Sequence, residues 1–251
     1  MKLTVEERRN KIIHEILLQN EVKVQFLADK FGVTTETIRK DIAFLEKKNI
    51  LSKKHGTAII ASPFLESQFS EKTQQSIDAK TKIAEQAIKF IPENASILLD
   101  TSTTVLPLAK LLIMRDDLTI ITNSLIINEV LANSNNKLLL TGGEYRKKSN
   151  SYVGNWAIEA IKGLNVDIAF IGCDGLAFNG PTISSYKELD IKKSMINCSK
   201  KSIILCDSSK LDNQGLYTFS NYDNLDVIIM ERNISKSERQ KFPDSAFFLS
   251  S

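Results

Sequence analysis

The sequence predicts an α/β protein in two parts, a small helical module closed by a β-hairpin and a larger domain built on a mainly parallel sheet. Three observations carry that expectation. Apolar residues recur at helical spacing from Val5 to Leu45, a polar stretch holding Pro63 follows, and beyond Ile91 short β-rich runs alternate with helical ones. At 251 residues the chain is long enough for one large domain or two, with a substantial core.

In chain order, Val5, Ile12, Ile13, Ile16 and Leu17 lie between charges and predict an amphipathic helix over 5–18. A second helix is expected over 22–31, with Phe26, Leu27 and Phe31 on one face and Gly32 stopping it in a left-handed conformation. Thr34 is placed to cap the next helix, and Glu36 falls in its first turn, where the helix dipole favours a carboxylate. That third helix runs to about Lys48. Its apolar stripe is Ile38, Ile42 and Leu45, while Thr35, Thr37, Arg39, Lys40 and Lys47 point elsewhere. Residues 50–60 read as two short strands around the basic turn Lys53-Lys54-His55-Gly56.

Three helices, a tight glycine turn before the third, and a terminal hairpin form the winged helix-turn-helix plan, which makes double-stranded DNA the expected partner. The third helix would present its first side chains to base edges in the major groove. Arg39 is suited to donate two hydrogen bonds to a guanine, and Thr34, Thr35 and Thr37 to meet thymine methyls or phosphate. Lys40, Lys53, Lys54 and His55 would sit nearer the backbone and supply affinity rather than sequence choice. Charge agrees: residues 1–60 hold 12 Lys and Arg against 8 Asp and Glu, whereas the rest of the chain is close to neutral.

Residues 61–78 read as a linker, and a second, α/β domain is expected over 79–251. A helix is predicted over 79–91, ended by Pro92. Strands follow at 97–100, 118–122, 137–141, 166–172, 202–207 and 226–230, with helices at 105–113, 125–133, 155–164 and 186–198. Strand and helix in alternation imply a parallel sheet covered on both faces. The first five strands end in small polar residues: Asp100-Thr101-Ser102-Thr103-Thr104, Thr122-Asn123-Ser124, Thr141-Gly142-Gly143-Glu144, Gly172-Cys173-Asp174-Gly175 and Asp207-Ser208-Ser209-Lys210. In an open parallel sheet these ends share one side, so the loops should converge on a crevice. Residues 101–104 offer hydroxyls and backbone N–H groups at a helix start, a suitable cradle for phosphate.

Several chemistries have no support. No GxGxxG follows the first strand and no GxxxxGK[ST] occurs. His14 and His55 are the only histidines and lie in the first module, so no Ser-His-Asp or Cys-His set can be built in the crevice. Cys173, Cys198 and Cys206 make no CxxC pair and no closed disulfide set, which fits a reducing compartment and argues against structural zinc. No apolar run approaches the ~20 residues of a membrane helix and the N-terminus is charged, so a soluble cytoplasmic protein without metal or cofactor is expected. Trp156, just after Gly154, is expected to pack into the core.

Phe31-Gly32-Val33-Thr34 leading into Thr37-Ile38-Arg39-Lys40-Asp41-Ile42, then Leu45-Glu46 and Lys54-His55-Gly56, resembles the winged DNA-binding region of the DeoR family of bacterial transcriptional regulators. Lys80, Ile83-Ala84, residues 99–104, Thr122-Asn123-Ser124, Gly142-Gly143, Gly154, Gly172 with Asp174-Gly175, Glu188, Lys192-Lys193 and residues 207–210 resemble that family's effector domain. The resemblance implies a homo-oligomeric regulator, usually a repressor of carbohydrate genes, whose C-terminal domain senses a phosphorylated sugar. On that basis Asp100, Thr101, Ser102, Thr103 and Thr104 would hold the phosphate. Thr122, Asn123, Gly142 and Gly143 would line the crevice, and Asp174, Glu188 and Lys192 would pair with sugar hydroxyls. Lys210 would meet the phosphate or brace its loop. Reading two-fold DNA half-sites implies at least a dimer, with recognition helices ~34 Å apart.

The effector domain is in turn similar to ribose-5-phosphate isomerase and the CoA-transferase superfamily, which supplies the rival expectation of an isomerase carrying a DNA-binding domain. The isomerase's acidic pair is broken here, because Ile171-Gly172-Cys173-Asp174 puts an apolar residue at the first acid, and its glycine-rich lysine loop is missing around Asn179-Gly180-Pro181. Binding without turnover is therefore expected. Ser102 also stands where the family commonly has glycine, which would restrict close backbone approach to a phosphate.

Overall fold

The computed structural model describes residues 3–5, 7–9, 11–12, 15, 21–47, 51–54, 57–60, 72 and 75–250. Ile13, His14, Ile16, Leu17, Lys48, His55, Gly56 and most of the expected linker lie outside them. The chain divides into two compact units, Met1–Leu65 and Glu66–Ser251. Among the described residues no helix is long and apolar enough to cross a membrane.

The first unit begins with helical backbone at residues 5, 7–9, 11–12 and 15. Its start is capped reciprocally: Glu7 N–H donates to Thr4 Oγ1 at 3.2 Å and Thr4 N–H to Glu7 Oε2 at 2.9 Å. Ile12 is buried as expected, but Val5 is half exposed. Next come β1 (Glu21–Lys23), α1 (Val24–Phe31), α2 (Thr35–Lys47), β2 (Leu51–Lys54) and β3 (Thr57–Ile60). The helix expected from residue 22 begins two residues later, because Val22 pairs antiparallel with Ala58 and makes β1 the third strand of a β1-β3-β2 sheet. Alternation at Val22 and Val24 is a strand signal that the following helical stripe overshadows. Gly32 ends α1 with φ 63°, and its N–H bonds back to Ala28 O and Asp29 O. Leu27, Ile38, Ile42 and Leu45 join Val22 and Val24 in one core. Phe26, expected on the buried face, is instead exposed, with the Lys30 ammonium 5.5 Å from its ring centre.

The second unit opens with α3 (Ile77–Ala87) and is organised by a seven-stranded sheet. Its strands are β4 (Ser96–Leu99), β5 (Thr119–Thr122), β6 (Lys137–Leu140), β9 (Val166–Gly172), β12 (Ser199–Leu205), β14 (Val227–Met230) and β15 (Phe248–Ser250). The order is β15-β14-β12-β9-β4-β5-β6, and every neighbouring pair is parallel. Side chains alternate between faces, so the central strands are apolar throughout. Leu98, Ala169, Ile171 and Ile204 pack towards α6 (Asn155–Lys162) and α7 (Tyr186–Asn197) through Ala157, Ile161, Ile191 and Met195. Ile97, Leu99, Phe170 and Leu205 pack with Ile83 of α3, Leu108 of α4 (Leu106–Leu111) and Ile127 of α5 (Leu125–Leu131).

Four elements carry no clear sequence signal. They are the hairpin β7 (Glu144–Arg146) and β8 (Ser151–Val153), the small antiparallel sheet of β10 (Gly175–Ala177), β11 (Gly180–Ile183) and β13 (Tyr217–Thr218), the edge strand β15, and the short helix α8 (Lys236–Arg239). The chain runs outward from β4 through β5 to β6, then returns to the other side of β4 as β9. The order therefore reverses between β4 and β9, and that crevice is where open α/β sheets bind ligands.

Candidate functional site

In the first unit α2 separates its two faces as its spacing predicts. Thr34 caps it, accepting Thr37 N–H at 3.2 Å. Ile38, Ile42 and Leu45 are buried, while Arg39 and Lys40 are exposed. The only ion pair of Arg39 among the described residues is a loose 3.9 Å approach to Glu36, so its guanidinium is available to a ligand. The buried face of α2 is held at its middle by Asp41, which accepts Arg8 Nε at 2.6 Å and Arg9 Nε at 2.9 Å. Lys53 and Lys54 lie on β2, and His55 is outside the described residues.

The second unit holds a cavity, open to solvent at its mouth, beside the carboxyl ends of β4, β9 and β12. Thr101, Ser102, Thr103 and Thr104 line it after β4, Gly172 and Asp174 after β9, and Ser209 and Lys210 after β12. Six cations face it, Lys72, Lys80, Arg146, Lys148, Lys192 and Lys210, against the three carboxylates Asp174, Glu188 and Asp207. Arg146 donates to Glu188 Oε1 at 2.8 Å and Lys72 to Asp174 Oδ1 at 2.9 Å. Lys80 donates to the Lys72 carbonyl oxygen and forms no ion pair among the described residues, nor does Lys210.

Burial and the neighbouring cations set the electrostatics. Lys80 is 4% exposed, and burial, with Lys210 and Lys72 nearby, pulls its ammonium down to about 8 despite the help of Asp207. Burial pushes the Glu188 carboxyl up, against the pull of Lys192 and Arg146. Burial also opposes the Lys192 charge, but Asp100 and Glu188 outweigh it and its pKa is raised. Burial works likewise against the Asp174 carboxylate, yet Lys72 prevails and holds it below the usual range. A lining with excess positive charge and threonine hydroxyls is suited to an anion that carries hydroxyl groups.

The structure parts with the expected site at several residues. Asp100 is 1% exposed and does not line the cavity; its Oδ2 accepts Lys192 Nζ at 2.5 Å and Gly172 N–H at 3.0 Å. It is a buried positioning group. Ser102 Oγ accepts Thr104 N–H at 3.1 Å and so caps its own turn. Its bulk is accommodated across the crevice: a Cβ at Gly172 would lie 2.0 Å from Ser102 Oγ, so the close approach requires glycine at 172 rather than 102. Gly172→Ala is expected to cost ~1–3 kcal/mol by overpacking, read by urea denaturation, and Ser102→Gly in the same chain should recover most of it.

Thr122, Asn123, Gly142 and Gly143 are not among the lining residues. Thr122 donates to Leu99 O at 2.7 Å, Asn123 Nδ2 to Tyr152 O at 3.0 Å, and Tyr152 N–H returns to Asn123 O at 2.8 Å. Gly143, at φ 120°, packs where a Cβ would meet Val153 O at 2.7 Å, and Gly142 turns at φ 68°. The β7–β8 hairpin, invisible in the sequence pattern, packs on the end of β5 and pairs with the Asn123 backbone carbonyl and side-chain amide N–H, while Asn123 Oδ1 stays buried with no hydrogen-bond partner among the described residues. The same hairpin returns Arg146, Lys148 and Ser149 to the cavity. Lys72, Gln75 and Ser76, read as linker, and Lys80 also line it, and Trp156 is 81% exposed at the first turn of α6 rather than in the core. Besides its place in the family resemblance, Lys80 had a sign of its own, a lysine on the apolar stripe with Ile83, Ala84 and Ala87.

A winged helix-turn-helix unit joined to an α/β unit with an anion-suited cavity at its switch point is the architecture of a sensor-coupled DNA-binding protein. Residues 8–64 match the family described as DeoR-like helix-turn-helix domain, and residues 75–232 match the DeoR C terminal sensor domain. The chain belongs to the DeoR family. It is 33% identical to an uncharacterized HTH-type transcriptional regulator, YulB, of Bacillus subtilis, over 96% of this chain and 95% of that protein. It is 30% identical to a putative aga operon transcriptional repressor of Escherichia coli O157:H7, over 91% and 87% respectively. Identity to the glycerol-3-phosphate regulon repressor of E. coli K12 is 25%, over 88% and 89%. Among solved structures it is similar to ribose 5-phosphate isomerase A of Methanocaldococcus jannaschii, at TM-score 0.39 and 19% identity over 52% of each chain.

Proposed function

We propose that this protein is a transcriptional repressor of carbohydrate-metabolism genes whose operator affinity is set by a phosphorylated sugar, or a related metabolite, held in the cavity of its second unit. The observation that carries the reading is the set of six cations around one hydroxyl-lined cavity at the sheet's switch point, in a chain whose other unit exposes Arg39 and Lys40 on its third helix. Relatives named as repressors of the aga operon and of the glycerol-3-phosphate regulon support the same class of regulated genes. Thr101, Thr103, Thr104, Lys80 and Lys210 would receive the phosphate, and Asp174, Glu188 and Lys192 would face the sugar hydroxyls. Glu188 is tied to Arg146, which favours binding over turnover. A coupling of ~1–3 kcal/mol between the two sites would change operator affinity ~5–150-fold. Two-fold operators would require at least a dimer.

A thermal-shift screen of the full chain against sugar phosphates tests the sensing half, since a ligand raises apparent stability according to its concentration and Kd. No shift with any of them, or interconversion of pentose phosphates by the purified protein, would overturn the reading. For the DNA half, Arg39→Ala should cost ~1–3 kcal/mol and relax base preference, whereas Lys54→Ala should weaken all sequences alike and lower the salt slope by about one. Equal loss on every sequence from both variants would contradict the division of roles.

The Lys80 ammonium gives a pH signature. A bound phosphate dianion stabilises the protonated amine, so binding raises a pKa that stands near 8 in the free protein. Affinity for a sugar phosphate should therefore be greatest below about pH 8 and fall above it, by up to about tenfold per pH unit. Titration calorimetry between about pH 7.5 and 9.5, where the phosphate is already a dianion, reads this directly. Lys80→Met should bind more weakly and lose the slope; an unchanged slope would place the titrating group elsewhere.

A further inference from the structure

Two of the three cysteines stand together at this cavity. Cys173 follows β9 and Cys206 follows β12, and the parallel register pairs the residues just before them, Gly172 with Leu205. Neighbouring strands lie ~4.8 Å apart, within the ~4.4–6.8 Å between Cα atoms that a disulfide spans. Both side chains pack in the same core cluster, and Cys206 Sγ reaches Asp207 O at 3.6 Å. Access is unequal: Cys173 is half-buried and lines the cavity, whereas Cys206 is 1% exposed. Cys198 cannot compete, because the seven residues of β12 separate it from Cys206.

We propose that Cys173 and Cys206 form a redox modification site, which hydrogen peroxide converts to an intramolecular disulfide. The Cys173 sulfur attacks a peroxide oxygen, the O–O bond breaks, and the products are a Cys173 sulfenic acid and one water. The Cys206 sulfur then attacks the Cys173 sulfur, the S–O bond breaks as the S–S bond forms, and a second water leaves. Both thiol hydrogens end in the two waters; the peroxide gains two electrons and the thiols lose them. Contact with Cys173 and burial hold the Cys206 thiol well above its ordinary pKa, which leaves the more accessible Cys173 to meet the oxidant first. The new bond would tie together two strand ends whose next residues, Asp174 and Asp207 to Lys210, line the cavity, so oxidation acts where the ligand is read.

The test treats the full-length protein with hydrogen peroxide, then counts thiols alkylated by iodoacetamide after unfolding and maps the peptides. Three alkylatable thiols should fall to one, Cys198, with the loss of two hydrogens in mass, and dithiothreitol should restore all three. Cys198→Ser should still form the bond and Cys173→Ser should form none. If Cys206→Ser fails to fold, Cys173→Ser and the wild-type peptide map decide. Three thiols surviving peroxide, a sulfinic acid at Cys173 beside a free Cys206, or links only between chains would overturn the proposal. None of these readouts depends on the identity of the effector.

Discussion

Asp100→Ala is expected to destabilise the second unit by about 3–5 kcal/mol, because it strands a fully buried lysine without its counter-charge. Lys192 and Asp100 side chains are 2% and 1% exposed and meet at 2.5 Å. The same carboxylate accepts Gly172 N–H, so an orphaned amide adds to the loss. Urea denaturation of the full chain would show the second unit's transition moving to lower denaturant, with loss of ligand response following from loss of fold. Replacing both partners, Asp100→Leu with Lys192→Met, should recover much of that stability, since a buried pair is often replaceable by apolar groups. If Asp100→Ala kept full stability and lost only ligand binding, Asp100 would be a contact residue after all, as the sequence reading had it.

Asp41→Ala should do comparable damage in the first unit, at about 3 kcal/mol, somewhat less because Arg9 is a quarter exposed. Asp41 itself is 3% exposed and receives two guanidinium groups from the first helical segment. It is what ties that segment to α2, and Arg9 continues over the Phe44 ring at 3.7 Å. Thermal unfolding should show an early transition of the first unit while the second unit's transition stays in place, and DNA affinity should fall with it. An unshifted first transition would mean that the apolar core of Leu27, Ile38, Ile42 and Leu45 anchors α2 without help.

Local pattern was enough wherever an element's own chemistry decides its form. Gly32 at φ 63°, Thr34 as cap, and the stripe Ile38, Ile42 and Leu45 are all short-range features, so they stand as spacing predicts. The six parallel strands from β4 to β14 were legible for the same reason, since each holds a short apolar run, and all but β14 are closed by small polar residues. Pairings across long separations were not. Val22 looks helical until β3 arrives to pair with it, and nothing near Asn123 announces that Tyr152 will accept its amide N–H.

Sequence by itself determined the two-part architecture, the exposed face of the third helix and the side of the sheet on which a ligand would sit, because helical and strand periodicity fix which way side chains point. Tertiary structure alone decided which residues reach the cavity. Asp100, Asn123 and Gly143 share the small polar character of Thr103 and Asp174, yet burial and the β7–β8 hairpin turn them into packing groups. Lys72, Lys80 and Arg146 come to the same cavity from a stretch read as linker, a helix and a hairpin. Desolvation and charge depend on distances between segments far apart in the chain, and those distances exist only once the chain has folded.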